Sequence, residues 1–278
     1  MSDNKIPLAG VIGSPIGHSK SPKLHNYWLK RLGLNGQYMA LDVAQKDLGE
    51  VLRTMPKMGF VGANVTIPHK ETVLGLVDRV TDRAALIGAA NTLVFRADGQ
   101  IFADNTDGHG FIENLRKGAK GWSASAGPAV MFGAGGAARA TLAALLDAGA
   151  EEVRIANRTR ARADALRAEF GARVAVYDWV KAGNMLDGAT TVVNCTALGM
   201  QGKPPLKVPM DALSSKAVVT DLVYTPLETK LLQTARAKGC QVVDGLGMLI
   251  HQAAPGFERW FGKKPPVDDE ARNIVLGL

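Results

Sequence analysis

The sequence has few cysteines, few aromatic residues and no long apolar run. Two of its 278 residues are cysteines, Cys195 and Cys240, and aromatic residues make up 6%. Two cysteines far apart in the chain exclude a disulfide framework and a zinc ribbon. No run approaches the roughly 18 apolar residues of a transmembrane helix, and the first residues lack the apolar core of a signal peptide. We therefore expect a cytoplasmic protein with no membrane segment and no metal site.

Positive charge exceeds negative charge but is not concentrated in any segment. The chain has 33 basic and 26 acidic residues, and its net charge is +7. Without a basic tail or an interleaved basic and aromatic run, nucleic-acid binding is not expected. A spread positive charge suits a small anionic ligand. With 46% hydrophobic and 21% charged residues the chain is globular, and its length suggests two domains.

The first third of the chain alternates strand and helix patterns. Helices are predicted over 21–32 and 47–55. Strands are predicted over 8–12, 37–43 and 60–67, and a hairpin over 91–95 and 100–103 around Asp98-Gly99. This part is therefore an α/β sheet with an added hairpin.

The second part contains six short valine-rich runs. They cover 129–132, 153–156, 173–177, 191–194, 218–222 and 241–243. Helical patterns separate most of them, which predicts a doubly wound parallel sheet. Two further helices, over 247–261 and 268–278, can pack on either domain.

A glycine-rich turn joins the first of these six strands to a helix. It consists of Gly133, Ala134, Gly135, Gly136, Ala137 and Ala138. The order matches the dinucleotide motif G-x-G-x-x-G/A, in which the first glycine permits the turn and the second lets the backbone approach a pyrophosphate. The helix N-terminus then favours the negative charge. The alternative is a plain strand-to-helix turn.

The end of the next strand indicates which dinucleotide binds. NAD sites usually have an acid there, but this chain has Asn157, Arg158, Thr159, Arg160, Ala161 and Arg162. A guanidinium group matches a 2′-phosphate, which a carboxylate would repel. The sequence therefore predicts NADP, with a solvated basic helix start as the alternative.

Several motifs occur in one order along the chain. They are SPIGHSKSP (14–22), NVTIPHK (64–70), AANTL (89–93), DNTDG (104–108), GAGGAAR (133–139), NRT (157–159) and GMLIHQAA (247–254). Together they resemble the shikimate dehydrogenase family, from about residue 7 to 262. The resemblance implies reversible reduction of 3-dehydroshikimate to shikimate with NADPH, a step in chorismate and aromatic amino-acid biosynthesis.

The resemblance also implies a domain organisation and site roles. Residues 1–106 would bind substrate, completed by helices over 245–278, and 107–244 would be a Rossmann NADP domain, with the active site in the cleft between them. Lys70 and Asp107 match the catalytic pair. The substrate residues would be Ser19, Ser21, Asn64, Thr66, Asn91, Tyr224 and Gln252. The cofactor residues would be those of the glycine-rich turn, from Gly133 to Ala137, together with Asn157, Arg158, Thr159, Arg162, Gly245 and Met248.

The chemistry of ketone reduction is consistent with these roles. The developing alkoxide needs a proton and a positive charge, and a lysine ammonium supplies both. His69 is the rival donor, and in an extended segment only one of two neighbouring side chains faces the substrate. Three alternatives stay open: use of quinate, use of NAD, and a non-catalytic dinucleotide-sensing module. A homodimer is also open.

Overall fold

The computed structural model describes residues 6–278, which form two compact units. The first unit comprises the described residues up to Asp107 together with Leu249–Leu278. The second unit runs from Gly108 to Met248, where the sequence predicted a domain over 107–244.

The elements follow one another in two groups. The first group is β1 (Leu8–Gly13), α1 (Ser21–Arg31), β2 (Gln37–Asp42), α2 (Leu48–Thr54), β3 (Phe60–Val65), β4 (Arg79–Val80), α3 (Asp82–Ile87), β5 (Thr92–Phe95) and β6 (Ile101–Asp104). The second is α4 (Asp107–Gly118), β7 (Ala129–Phe132), α5 (Gly136–Asp147), β8 (Val153–Ala156), α6 (Arg160–Phe170), β9 (Val174–Tyr177), β10 (Thr191–Asn194), β11 (Val218–Asp221), α7 (Lys230–Ala237), β12 (Gln241–Val243), α8 (Leu246–Phe261) and α9 (Asp269–Leu276).

The first unit contains a mixed six-stranded sheet in the order β2-β1-β3-β5-β6-β4. Strands β2, β1 and β3 are parallel, whereas β5 pairs antiparallel with β3 and with β6. Central strand β1 is almost wholly buried, as expected for a parallel strand covered on both faces. Strand β3 ends at Val65, before residue 67, because the chain turns there and Pro68 has no N–H for the ladder.

The second unit contains a wholly parallel six-stranded sheet in the order β12-β11-β10-β7-β8-β9. The prediction of a doubly wound sheet is confirmed. The strand order reverses at β7, which pairs with β10 on one side and β8 on the other. Ligands of such sheets bind at the carboxyl ends of the strands at this switch point, where the glycine-rich turn follows β7.

No helix among residues 6–278 is both long and apolar enough to cross a membrane.

Candidate active site

In the first unit, Lys70 and Asp107 form an ion pair. Lys70 Nζ donates a hydrogen bond to Asp107 Oδ2 over 2.5 Å. Asn91 Nδ2 donates to the other carboxylate oxygen over 2.8 Å. The side chains of Lys70 and Asp107 are only 16% and 6% exposed. The carboxylate of Asp107, the first residue of α4, therefore contacts the ammonium of Lys70 and the amide of Asn91 in a site that is largely shielded from solvent.

Backbone contacts place both members of this pair. Lys70 lies in the turn after β3, and its carbonyl accepts a hydrogen bond from Ala90 N over 2.8 Å. Asp107 N donates to Asn105 Oδ1 over 3.0 Å, which fixes the start of α4. The turn after β3 and the loop after β6 thus bring the ammonium and the carboxylate together.

The histidine next to Lys70 is directed into the protein. His69 is completely buried, and its Nε2 donates to the carbonyl of Val43 over 2.8 Å. The segment is a turn rather than an extended strand, but the two neighbouring side chains still point to different sides. The rival proton donor considered from the sequence is therefore occupied in the core.

Polar side chains from three elements meet beside Asp107. Asn91 Nδ2 lies 3.0 Å from both Thr106 Oγ1 and Gln252 Oε1. Thr106 Oγ1 donates to the carbonyl of Gln252 over 2.8 Å, and Asn64 Nδ2 donates to the carbonyl of Asn91 over 3.0 Å. The structure brings together Asn64, Asn91 and Gln252 as predicted, and adds Thr106, which the sequence left without a role.

The two predicted carboxylate-binding serines connect to this cluster through a tyrosine. Ser21 N donates to Ser19 Oγ over 3.3 Å. The side chain of Ser21 lies beside that of Tyr38, and Tyr38 OH donates to Asn64 Oδ1 over 2.6 Å. Burial raises the pKa of Tyr38 well above its ordinary value, so its hydroxyl remains a donor. Thr66 lies half-buried beyond the end of β3.

Sequence reasoning missed Tyr38 because its position gives no signal. It is a buried aromatic residue within strand β2, and aromatic residues are common in strands. Only the fold shows that its hydroxyl ends between two polar groups.

In the second unit, the glycine-rich turn leaves space at the start of α5. Gly133 has φ +110°, and a Cβ there would lie 2.9 Å from Thr196 Cγ2. A Cβ on Gly135 would meet nothing within 4 Å, and Gly135 provides no side-chain cap for α5. Packing within the chain therefore explains Gly133 but not Gly135, whose missing side chain leaves the helix N-terminus open to an anion.

The three arginines after β8 differ in their partners. Arg160 Nη1 forms an ion pair with Asp178 Oδ1 at 2.5 Å. Arg158 and Arg162 are exposed, and no ion pair is found for either within residues 6–278. Asn157 Nδ2 donates to the carbonyl of Thr159 over 2.8 Å, which closes the turn that carries them. Two guanidinium groups are therefore available for a phosphate.

The remaining predicted residues also belong to the second unit. Tyr224 is half-buried, and burial raises its pKa. Its loop is held by the buried Asp221, whose Oδ1 accepts from Val223 N over 3.0 Å. A Cβ on Gly245 would lie 2.6 Å from the carbonyl oxygen of Leu222, and Met248 is buried in the core of this unit.

Among residues 6–278, no group of three or more His, Cys, Asp or Glu side chains could hold a metal ion.

Family models match three parts of the chain. The shikimate dehydrogenase substrate binding domain matches residues 11–93, the shikimate/quinate 5-dehydrogenase model matches 118–200, and the shikimate 5′-dehydrogenase C-terminal domain matches 245–269. A shikimate dehydrogenase (NADP(+)) of Cereibacter sphaeroides is 70% identical over 98% of both chains. This chain belongs to the shikimate dehydrogenase family.

Solved structures of this family have the same fold. Shikimate 5-dehydrogenase from Thermus thermophilus, in complex with NADP(H) and shikimate, is 38% identical with a TM-score of 0.88, over 98% of this chain and 99% of that one. Quinate dehydrogenase from Corynebacterium glutamicum, in complex with NAD, is 33% identical with a TM-score of 0.90, over 98% and 99%. The predicted family and its α/β architecture with a Rossmann-type sheet are confirmed.

Proposed function

We propose that this chain catalyses the reversible reduction of 3-dehydroshikimate to shikimate with NADPH, a step toward chorismate and the aromatic amino acids. The observation that carries the proposal is the shielded pair of Lys70 and Asp107, joined by Asn91. The comparisons with NADP-dependent shikimate dehydrogenases confirm the predictions of an oxidoreductase and of NADP as its cofactor.

The residues of the second unit fit NADP. The open N-terminus of α5 beside Gly135 would accept the pyrophosphate, and Arg158 and Arg162 would hold the 2′-phosphate. Positions 157 and 158 carry no acid that would repel this phosphate. When bound, NADPH supplies the hydride that reduces the ketone.

Lys70 supplies the proton and the charge for the substrate oxygen. Its ammonium donates a proton to the alkoxide as the ketone is reduced, and the neutral amine accepts that proton from the hydroxyl in the reverse direction. Asp107 holds the amine in place through Oδ2, while Asn91 fixes the carboxylate through Oδ1. Little solvent reaches the pair, so the electrostatic stabilisation of the alkoxide is stronger than it would be in water.

The polar cluster of the first unit provides groups for a carboxylate and several hydroxyls. Ser19 and Ser21 bind the carboxylate of the substrate. Asn64, Thr66, Asn91 and Gln252 bind around its ring, and Tyr224 is a further substrate residue. Gly245 and Met248 would hold the nicotinamide.

Domain roles, location and assembly complete the proposal. Residues 1–106 with 245–278 bind substrate, and 107–244 bind NADP. Both cysteines are free, which suits the reducing cytoplasm. Homodimer formation stays a prediction that analytical ultracentrifugation tests.

Two alternatives have specific arguments against them. Quinate dehydrogenation with NAD has a structural relative, but the ribose-binding acid expected for NAD is missing at 157–158. A non-catalytic dinucleotide sensor would have no use for a shielded lysine–aspartate pair. Such pairs gain little stability over apolar residues.

Steady-state assays with shikimate and quinate, each with NADP+ and NAD+, test the proposed function. We expect the highest kcat/KM for shikimate with NADP+. A higher kcat/KM for quinate or for NAD+ would support the first alternative. Tight dinucleotide binding without turnover of either substrate would support the second.

A further inference from the structure

A second buried carboxylate lies just before the catalytic loop. Asp104, the last residue of β6, is 2% exposed. Its Oδ1 accepts hydrogen bonds from Thr81 Oγ1 at 2.8 Å, from Arg83 Nε at 2.7 Å and from its neighbour Asn105 N at 2.7 Å. Burial raises the pKa of Asp104, but the hydrogen bonds from Arg83, Arg259 and Thr81 outweigh burial and hold it well below its ordinary value. Asp104 is therefore a charged anchor.

Two arginines from different helices meet on the other oxygen of this carboxylate. Arg83 Nη2, from α3, lies 2.5 Å from Oδ2, and Arg259 Nη1, from α8, lies 2.6 Å from it. The side chains of Arg83 and Arg259 are 51% and 40% exposed. The two arginines therefore bind the same oxygen atom and are exposed to a similar extent. They differ in the helix that carries them: α3, with Arg83, has no predicted site residue, whereas α8, with Arg259, also carries Gln252.

The geometry of α8 connects Arg259 to Gln252. The two residues are seven positions apart, which is close to two turns, so they lie on nearly the same face of the helix. Trp260, the next residue, donates from Nε1 to the carbonyl of Leu93 in β5 over 2.8 Å. Neighbouring helix residues point about 100° apart. Contacts from residues 259 and 260 to β6 and β5 therefore fix the rotation of α8 about its axis.

A proline between Gln252 and Arg259 makes such an anchor useful. Pro255 lies inside α8 and cannot donate a backbone N–H to the preceding turn, which weakens the helix there. Gln252 must keep its Oε1 against Asn91 Nδ2 and its carbonyl against Thr106 Oγ1. The contact of Arg259 with Asp104 holds the part of α8 that follows Pro255. It therefore limits a bend of the helix at Pro255 that would move Gln252 away from Asn91.

We propose that Arg259, through Asp104, is a positioning residue that holds Gln252 of α8 against Asn91 and Thr106 in the substrate site. This assignment rests on the proposed function. It distinguishes the arginine on α8 from Arg83, which holds the same carboxylate but serves only the local packing of α3.

Arg259→Gln and Arg83→Gln test the assignment as a matched pair. We expect Arg259→Gln to raise KM for shikimate about tenfold and to lower kcat. The reason is that a displaced Gln252 no longer orients the substrate for reaction. KM for NADP+ should stay unchanged. Arg83→Gln should lower the Tm without changing either KM. Arg259→Lys should recover part of the loss, because it keeps a positive charge near Asp104.

A measurement without substrate separates this proposal from the proposed function. Amide hydrogen exchange of each folded variant should show lost protection over residues 250–254 in Arg259→Gln and not in Arg83→Gln. A wild type that does not oxidise shikimate would refute the proposed function but leave this comparison intact. Equal exchange at 250–254 in the two variants, or equal effects on KM, would overturn the role of Arg259.

Discussion

Lys70 Nζ and Asp107 Oδ2 lie 2.5 Å apart although the two residues are 37 positions apart in the chain. Within residues 6–278, neither side chain forms an ion pair with a residue close to it in the chain. The relationship depends on the turn after β3 reaching the start of α4, and the backbone bond between Ala90 N and the Lys70 carbonyl holds it there.

Removal of Lys70 should abolish most of the activity. Lys70→Ala loses the proton donor, and we expect kcat to fall by about 10²–10⁴ in steady-state assays. Asp107→Asn keeps the shape but loses the charge that holds the amine, so a smaller loss is expected. Lys57→Ala, at an exposed lysine of the same unit, should leave kcat unchanged. A folded Lys70→Ala enzyme with wild-type kcat would disprove the catalytic assignment.

The serine pair should control substrate binding alone. Ser19→Ala and Ser21→Ala each remove a hydrogen bond to a charged group, worth about 1.5–3 kcal/mol, so KM for shikimate should rise roughly 10- to 100-fold. Binding of NADP+, measured by fluorescence titration, should not change. Parallel weakening of both ligands would instead indicate that the turn had collapsed.

Tyr38→Phe should show whether the buried hydroxyl orders the site. The substitution removes the donor to Asn64 Oδ1, so Asn64 loses one of the contacts that orient its amide and keeps the one from its Nδ2 to the carbonyl of Asn91. We expect KM for shikimate to rise by about tenfold, equivalent to roughly 1.4 kcal/mol. The control is Tyr27→Phe, because the hydroxyl of Tyr27 accepts a hydrogen bond from Arg31 on the exposed side of helix α1. Equal KM values in the two variants would exclude a role for the Tyr38 hydroxyl.

The unpaired arginines should select NADP. Arg158→Ala combined with Arg162→Ala should weaken NADP+ binding by about 10²-fold and leave NAD+ binding nearly unchanged. Arg160→Ala is the matched control, since Arg160 is engaged by Asp178, and it should change neither affinity. Isothermal titration at two salt concentrations measures these values. Equal losses for both dinucleotides would show a general effect of surface potential.

His25 should make the protein less stable in acid. Burial lowers the pKa of His25 from 6.5 to about 3, and neither ring nitrogen has a hydrogen-bond partner within residues 6–278. Between these values only the unfolded chain takes up the proton, so the free energy of unfolding falls as pH decreases from 6.5 toward 3. At pH 5 the loss is about 2 kcal/mol.

Urea unfolding at pH 7 and pH 5 measures this contribution. His25→Phe keeps an aromatic ring against Tyr38, whose ring stacks on His25 with centroids 3.9 Å apart. The variant should lose about 2 kcal/mol less than wild type between the two pH values. His18→Gln, at an exposed histidine, should behave like wild type. An unchanged pH dependence in His25→Phe would contradict the prediction.

Local patterns in the sequence determined the dinucleotide-binding half of this protein. The run of four buried residues in β7, the glycines at 133 and 135 and the helix after them act within one segment. The hydrophobic pattern of the strand and the helix, and the conformational freedom of the two glycines, can therefore be recognised from the sequence. By contrast, β4 and α3 were not predicted, because two and six residues are too short for a periodic pattern.

Only the tertiary structure decided which polar residues act together. The sequence does not show that Arg160 is paired with Asp178 while Arg158 is not, or that Tyr38 ends in a polar cluster. Asn91 and Gln252 are 161 positions apart and meet only because the part of α8 from Leu249 onward belongs to the first unit. Secondary structure follows from short-range sterics and hydrophobic periodicity. The contacts of a site depend on which loops the packed sheets bring together, and no single segment encodes that.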